Sequence, residues 1–141
     1  MLEYFEPIHP KLVHFPIALF MTALGLDLAS FIFRKEDFHK AAVYIYVIAA
    51  LMTPFVVRTG LWEGEEFHLN HPVLTAHRTF ALWTMWLSLM SLPVLWFIKQ
   101  KSQIFFRVLF IILLIGTAVF VTLAAHNGGR LVYEYGVGME Q

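Results

Sequence analysis

Residues 9–16 read His-Pro-Lys-Leu-Val-His-Phe-Pro, and they open the first hydrophobic segment of the chain. Proline suits the first turn of a helix, because its missing N–H would have no partner there. Pro16 would interrupt a helix interior, so we expect the chain around His14 to be kinked or only entering its helix. A partial echo, His-Pro-Val-Leu-Thr-Ala-His, follows at residues 71–77. The pattern predicts histidines at the starts of two membrane helices.

The composition of the chain is that of a membrane protein. Its 141 residues are 59% hydrophobic and 14% charged, whereas soluble domains carry about 25% charged residues. Zero net charge offers no basic surface for nucleic acid. The absence of cysteine excludes disulfides, thiolate metal sites and covalently attached haem.

Four hydrophobic runs are long enough to cross a bilayer, which takes about 20 apolar residues each. We therefore predict an all-α fold, an integral membrane four-helix bundle that forms a single domain surrounded by lipid. The predicted spans cover residues 16–33, 41–61, 72–98 and 104–126. The pair Gly128-Gly129 is typical of a helix end, so residues 127–141 are predicted to form an extended tail in the membrane interface.

The distribution of positive charge predicts the orientation. Four spans place both termini on one side of the membrane. The two loops on the opposite side hold six Lys and Arg residues, and the side of the termini holds four. Because Lys and Arg favour the cytoplasm, the termini are predicted to face away from it.

Six of the seven histidines fall on the side of the termini. Small or hydroxylated residues recur at helical spacing beside three of them, His14, His77 and His126, so we expect these three to face the bundle interior. Packing alone explains small residues between membrane helices, but ionisable groups in a bundle interior are costly and usually functional. The seventh histidine, His39, reads as a solvated loop residue, and Asp27 as an ion-pair partner of Arg34.

Two kinds of cofactor site are compatible with these residues. Haem b could be held by two of His14, His77 and His126 in the bundle core. Small residues would flank the porphyrin and arginines would bind its propionates: Ala81, Thr122, Arg58, Arg78 and Arg130. Alternatively, a Cu, Fe or Zn ion could bind to histidines, completed by Glu63, Glu66 or water: His9, His14, His71, His77 and His126. The sequence does not choose between these sites, nor between the histidine pairs that could ligate haem.

The opening motif at residues 9–19 and the ending His-Asn-Gly-Gly-Arg-Leu-Val-Tyr-Glu-Tyr-Gly-Val-Gly at residues 126–138 resemble a family of small bacterial four-helix membrane proteins, domain of unknown function 2231. Asp27 and His77 also fall where that family has such residues. The resemblance implies a multi-pass protein of the bacterial inner membrane, sometimes joined or adjacent to redox proteins. The family label carries no activity.

These observations support three interpretations. The first is a membrane haem b protein in electron transfer, a cytochrome b-like carrier or a subunit of a redox complex rather than a stand-alone enzyme. The second is a non-haem metal-binding membrane protein. The third is a cofactor-free structural subunit of a membrane complex. The partners expected are a redox protein, a membrane complex or a second copy of the chain.

Overall fold

The structure, a computed structural model, describes residues 8–66, 71–101 and 104–137. It consists of the helices α1 (His9–Phe33), α2 (Glu36–Glu66), α3 (Pro72–Lys101) and α4 (Ile104–Tyr133). Each is long and apolar enough to cross a membrane, and the described residues contain no strand. The predicted all-α membrane bundle is confirmed.

Helix α1 begins earlier than the sequence suggested. It starts at His9 with Pro10 in its first turn, and it accommodates Pro16 as a buried interior residue. Arg34, with φ 53° and ψ 37°, ends the helix in a left-handed conformation. Helix α2 begins two residues later, and Glu36 and Asp37 in its first turn interact favourably with the helix dipole.

Helix α4 ends later than expected. It continues through Gly128 and Gly129 to Tyr133, so the predicted helix end at this glycine pair, and the extended conformation of the residues that follow it, are wrong up to Tyr133. Glycine weakens a helix interior by about 1 kcal/mol, but at Gly128 the missing side chain makes room for His77. The last part of the predicted tail, residues 138–141, lies outside the described residues.

The four helices form two hairpins. Helix α1 packs closely on α2, and α3 on α4, while the contacts between the hairpins, α2 with α3 and α1 with α4, are thinner. Within the described parts of the chain, α1 and α3 lie diagonally opposite each other, and their backbones do not approach closely. We call the end of the bundle with His9, Glu66, Pro72 and Tyr133 the terminal end, and the end with Phe33, Glu36, Lys101 and Ile104 the far end.

The core is aromatic at its centre, where Phe20, Tyr46 and Phe110 are fully buried. The ring of Tyr46 lies 5.3 Å from that of Phe20 and 5.2 Å from that of Phe110, measured between centroids. Many large apolar side chains are exposed on the outer surface, as is expected of helices that face lipid rather than water.

Candidate functional site

Two histidines from diagonal helices meet at the terminal end of the bundle. The ring centroids of His9 on α1 and His77 on α3 lie 6.1 Å apart, with an interplanar angle of 82°. Both side chains are half-buried. Each histidine belongs to a different hairpin, so this contact joins the two halves of the molecule.

His9 is fixed by three residues of α2. Its Nδ1 lies 3.0 Å from the carbonyl oxygen of Val56 and 3.2 Å from Oγ1 of Thr59. The backbone N–H groups of Ile8 and His9 each donate to Oε1 of Glu63 at 2.8 Å. Glu63 therefore caps the start of α1, where N–H groups lack helical partners, and so it holds the residue that carries the imidazole.

His77 is held in the same manner by α4. Its Nδ1 lies 2.8 Å from the carbonyl oxygen of Ala124, and its ring packs against Gly128. A carbonyl oxygen only accepts hydrogen bonds, so Nδ1 carries the hydrogen and the lone pair stays on Nε2. Val56 and Gly60 relate to His9 as Ala124 and Gly128 relate to His77: a carbonyl group, and a glycine four residues later on the same helix.

A small cavity of about 40 Å³ lies beside the two imidazoles. All four helices contribute to its wall, which is almost entirely apolar. The hydroxyls of Thr53 and Thr84 donate to carbonyls of their own helices, Ala50 at 2.7 Å and Phe80 at 2.8 Å. Ala81 lines the cavity and Thr84 and Ser88 are buried below it, so the small-residue row beneath His77 faces the interior as predicted.

The prediction that His14 and His126 also face the interior is wrong. Both side chains are exposed, and Nδ1 of His14 lies 2.7 Å from the carbonyl oxygen of Pro10 in its own helix. The buried face of α1 instead runs through Pro16, Phe20 and Ala23. On α4 the buried residue is Asn127, next to His126.

Two further residues of the predicted site, Thr122 and His71, lie away from the pair of His9 and His77. Thr122 is exposed on the outer surface, so the expectation that it flanks a central slot is wrong. His71 lies away from the pair and packs against Tyr135, with 4.2 Å between ring centroids. Their positions leave His9 and His77 as the pair that the fold brings together.

Of the three predicted arginines, one lies near this pair. The guanidinium of Arg78 packs against Gly64, and its buried Nε has no hydrogen-bond partner. Arg58 is exposed. Arg130 points its Nε at the carboxylate of Glu134, at 3.1 and 3.0 Å from its two oxygens.

The predicted multi-histidine metal site is not assembled in residues 8–66, 71–101 and 104–137, where no three His, Asp or Glu side chains converge. Two imidazoles are the whole donor set at the described centre. The side chain of Glu66, offered as a ligand on sequence grounds, lies outside the described side chains.

The far end contains a buried acid–base pair that the sequence interpretation missed. Nδ1 of His39 lies 2.6 Å from Oδ1 of Asp27, and the two residues are 5% and 1% exposed. The solvated loop position predicted for His39 and the Asp27–Arg34 pair are therefore wrong. The sequence did contain a signal for the burial of this pair. Asp27 follows Phe20 and Ala23 on one helix face, and His39 precedes Ala42 and Tyr46 on another.

Comparison with known proteins identifies a family but no activity. Retinoic acid-induced protein 3 of Mus musculus is 32% identical over 62 residues, which is 43% of this chain. The chain spans only 17% of that relative's length. No solved structure matches. The model of a family described as predicted membrane protein (DUF2231) matches residues 5–141, nearly the whole chain, and the protein belongs to that family.

Proposed function

We propose that the protein is a membrane-bound haem b protein that acts in electron transfer, and that His9 and His77 would hold the haem. The observation that carries the proposal is the meeting of these two imidazoles, one from each hairpin, with both Nδ1 atoms at backbone carbonyls. Such bonds orient a ligating imidazole and raise its basicity. The same bonds occupy Nδ1, so Nε2 of each ring is left to bind a metal.

The number of ligands favours haem over a bare ion. A porphyrin supplies four nitrogens of its own, so the protein would have to add no more than two donors. A structural zinc site needs four protein ligands, and the described residues bring together fewer than three.

The spacing of the two rings supports a metal shared between them, whether it is haem iron or a bare ion. An imidazole nitrogen lies about 2.0–2.1 Å from a metal that it binds. The centroids of His9 and His77 lie 6.1 Å apart, so both rings could reach the same metal.

When bound, haem supplies one-electron chemistry, and the residues of this chain hold it and set its surroundings. His9 and His77 would hold the haem between the hairpins. The apolar wall that includes Val13, Ala81 and Val121 excludes water from one side of the site. The buried Nε of Arg78 is a free donor for a propionate, which arginine binds through a planar fork.

The cavity is too small for haem, so the hairpins would have to move apart for haem to bind. About 40 Å³ has room for a few water molecules, and a porphyrin is far larger. The thin contacts between the hairpins are where the bundle can open. Each imidazole is anchored within its own hairpin, so opening preserves both anchors.

The same small cavity favours a second candidate, a single Cu, Fe or Zn ion held by the two imidazoles and water. Such an ion needs no separation of the hairpins. Imidazole is a suitable ligand for all three metals.

One experiment decides between these functions. Purified protein is examined by absorption spectroscopy and elemental analysis, beside His9→Ala and His77→Ala, with the exposed His14→Ala and His126→Ala as matched controls. A haem spectrum lost in the first two variants and kept in the controls supports the haem site. A stoichiometric metal without a haem spectrum supports the second candidate. Protein with neither cofactor overturns both and supports a structural subunit.

We also propose that the bundle lies in the bacterial inner membrane with its terminal end towards the periplasm, where a redox protein or membrane complex would meet the haem. Because the chain has no cysteine, a single cysteine reports its side of the membrane. Lys35→Cys at the far end and Thr75→Cys at the terminal end are both exposed. An impermeant maleimide added to intact cells permeable only at the outer membrane should label Thr75→Cys and spare Lys35→Cys. The reverse pattern overturns the orientation.

A further inference from the structure

The buried pair of Asp27 and His39 at the far end has no part in the proposed haem site. The two groups are joined at 2.6 Å and lie on the spanning helices α1 and α2. Ionisable side chains inside a membrane bundle are costly and usually mark ion or proton sites. The ring of His39 otherwise packs edge-on against Phe110, with 6.2 Å between centroids.

A polar chain runs from the far-end surface to the backbone of Asp27, beside the pair. The hydroxyl of Ser30 donates to the backbone carbonyl of Asp27 at 2.6 Å, and Nη2 of Arg107 donates to that hydroxyl at 3.1 Å. Nη1 of Arg107 binds Glu36, whose side chain is 57% exposed, at 2.9 Å. Nε of Arg107 is buried without a hydrogen-bond partner.

The other charged side chains described at the far end lie on the surface. Lys40 pairs with Asp37 at 3.3 Å, and Arg34 and Lys35 are exposed. The charged side chain described on α3, Arg78, lies at the terminal end. Among the described charged groups, Arg107 and Glu36 are those that the polar chain links to the backbone of Asp27.

An aromatic layer closes the pair off from the terminal end. Phe20, Tyr46 and Phe110 are fully buried above it, and the ring of Tyr46 contacts the rings of the other two. The buried hydroxyls of Tyr46, Ser91 and Thr117, joined at 2.8 and 3.1 Å, begin at this layer. Because Tyr46 stands two helical turns from His39, about 10 Å along α2, Phe110 fills the gap between the two polar regions.

We propose that Asp27 and His39 form a proton-binding site that exchanges protons with the water at the far end only. In its deprotonated form, Nδ1–H of His39 donates to the Asp27 carboxylate, and Nε2 keeps its lone pair. A proton from water binds Nε2 and changes the net charge of the pair from −1 to 0. The pair then exists as imidazolium with carboxylate, or as imidazole with a neutral carboxyl group. The site needs no cofactor.

The test uses dicyclohexylcarbodiimide, an apolar reagent that modifies neutral carboxyl groups inside membranes. Labelling of Asp27 is measured by mass spectrometry of protein in its native membrane. It should rise several-fold on acidification and disappear in Asp27→Asn. It should rise further in His39→Gln, because the carboxylate then loses the hydrogen bond from Nδ1 of His39. The surface carboxylate of Asp37 serves as the internal control.

The side of exchange is tested in right-side-out and inverted membrane vesicles, with orientation reported by a maleimide on Lys35→Cys. Acidification of the outer medium should raise the labelling of Asp27 only in vesicles whose far end faces out. A response only in vesicles with the far end inside, or an equal one in both, would overturn the access proposed here. No labelling at any pH, in wild type and in His39→Gln, would overturn the proton-binding site. Neither result depends on haem content, which is measured separately.

Discussion

His9 packs so closely against Gly60 that a Cβ at position 60 would lie 2.7 Å from Cε1 of the imidazole. The backbone of α2 cannot move away at this position without breaking its own hydrogen bonds, so any side chain at position 60 would displace the imidazole of His9. Glycine at this position is therefore part of the histidine site.

Gly60→Ala should move His9 away from the carbonyl of Val56 and lower cofactor content and thermal stability. Gly128→Ala should act in the same direction on His77 but less strongly, because its Cβ would lie 3.1 Å from the ring. The matched controls are Gly25→Ala and Gly129→Ala, where nothing lies within 4 Å of the new atom. These two should stabilise their helices by about 0.5–1 kcal/mol. Equal effects at all four glycines would contradict the role given to Gly60 and Gly128.

Ala81→Leu should reduce cofactor binding, because Ala81 lines the cavity beside the imidazoles. Overpacking a closed site costs about 1–3 kcal/mol. Thr122→Leu, on the outer surface of α4, should have little effect, since leucine is compatible with lipid. The measurement is haem or metal per protein, together with thermal stability in detergent. Unchanged cofactor content in Ala81→Leu would place the cofactor away from this cavity.

Glu63→Ala should remove the cap of α1 and loosen His9. Loss of a side-chain cap costs about 0.5–2 kcal/mol, and here one carboxylate oxygen serves two N–H groups. Glu65→Ala, at an exposed position two residues away, controls for the loss of one negative charge. Thermal unfolding of both variants checks the prediction, which fails if the two lose the same stability.

Tyr46→Phe should destabilise the protein by about 1 kcal/mol, because it leaves Ser91 and Thr117 without a hydrogen-bond partner that they share in the core. The ring contacts with Phe20 and Phe110 stay in place. Tyr44→Phe, on the lipid-facing surface, is the control and should be neutral. A denaturation series in mixed micelles compares the two, and an effect of equal size would contradict the buried network.

Hydropathy was sufficient to predict the fold, because bilayer thickness dictates the length of apolar runs. Helical periodicity also pointed to His77, whose neighbours Ala81, Thr84 and Ser88 lie on one face of a regular helix. The sequence interpretation misassigned His14, because Pro16 was taken as the start of the first span. In fact α1 begins at His9, and His9, Val13, Pro16 and Ile17 share the inner face.

The remaining errors came from contacts between helices. Gly128 has the signature of a helix end, but inside α4 its missing side chain makes room for the ring of His77. His39 sits in a charged stretch, and its burial depends on Asp27 being twelve residues earlier on the neighbouring helix. Local patterns do not contain such pairings, although helical periodicity identifies the faces on which they occur.

The equivalence of Val56 and Gly60 with Ala124 and Gly128 means that each hairpin carries one complete half of the histidine site. A two-helix chain with one imidazole, one carbonyl group and one glycine could build the whole site as a symmetric dimer, with two copies related by a two-fold axis. A chain with both halves can alter one without the other, and among the described residues it is the His9 half that has a hydroxyl beside Nδ1 and a capping carboxylate. Joining the halves in one chain would thus allow the two sides of a metal held there to differ, which an exact two-fold axis forbids.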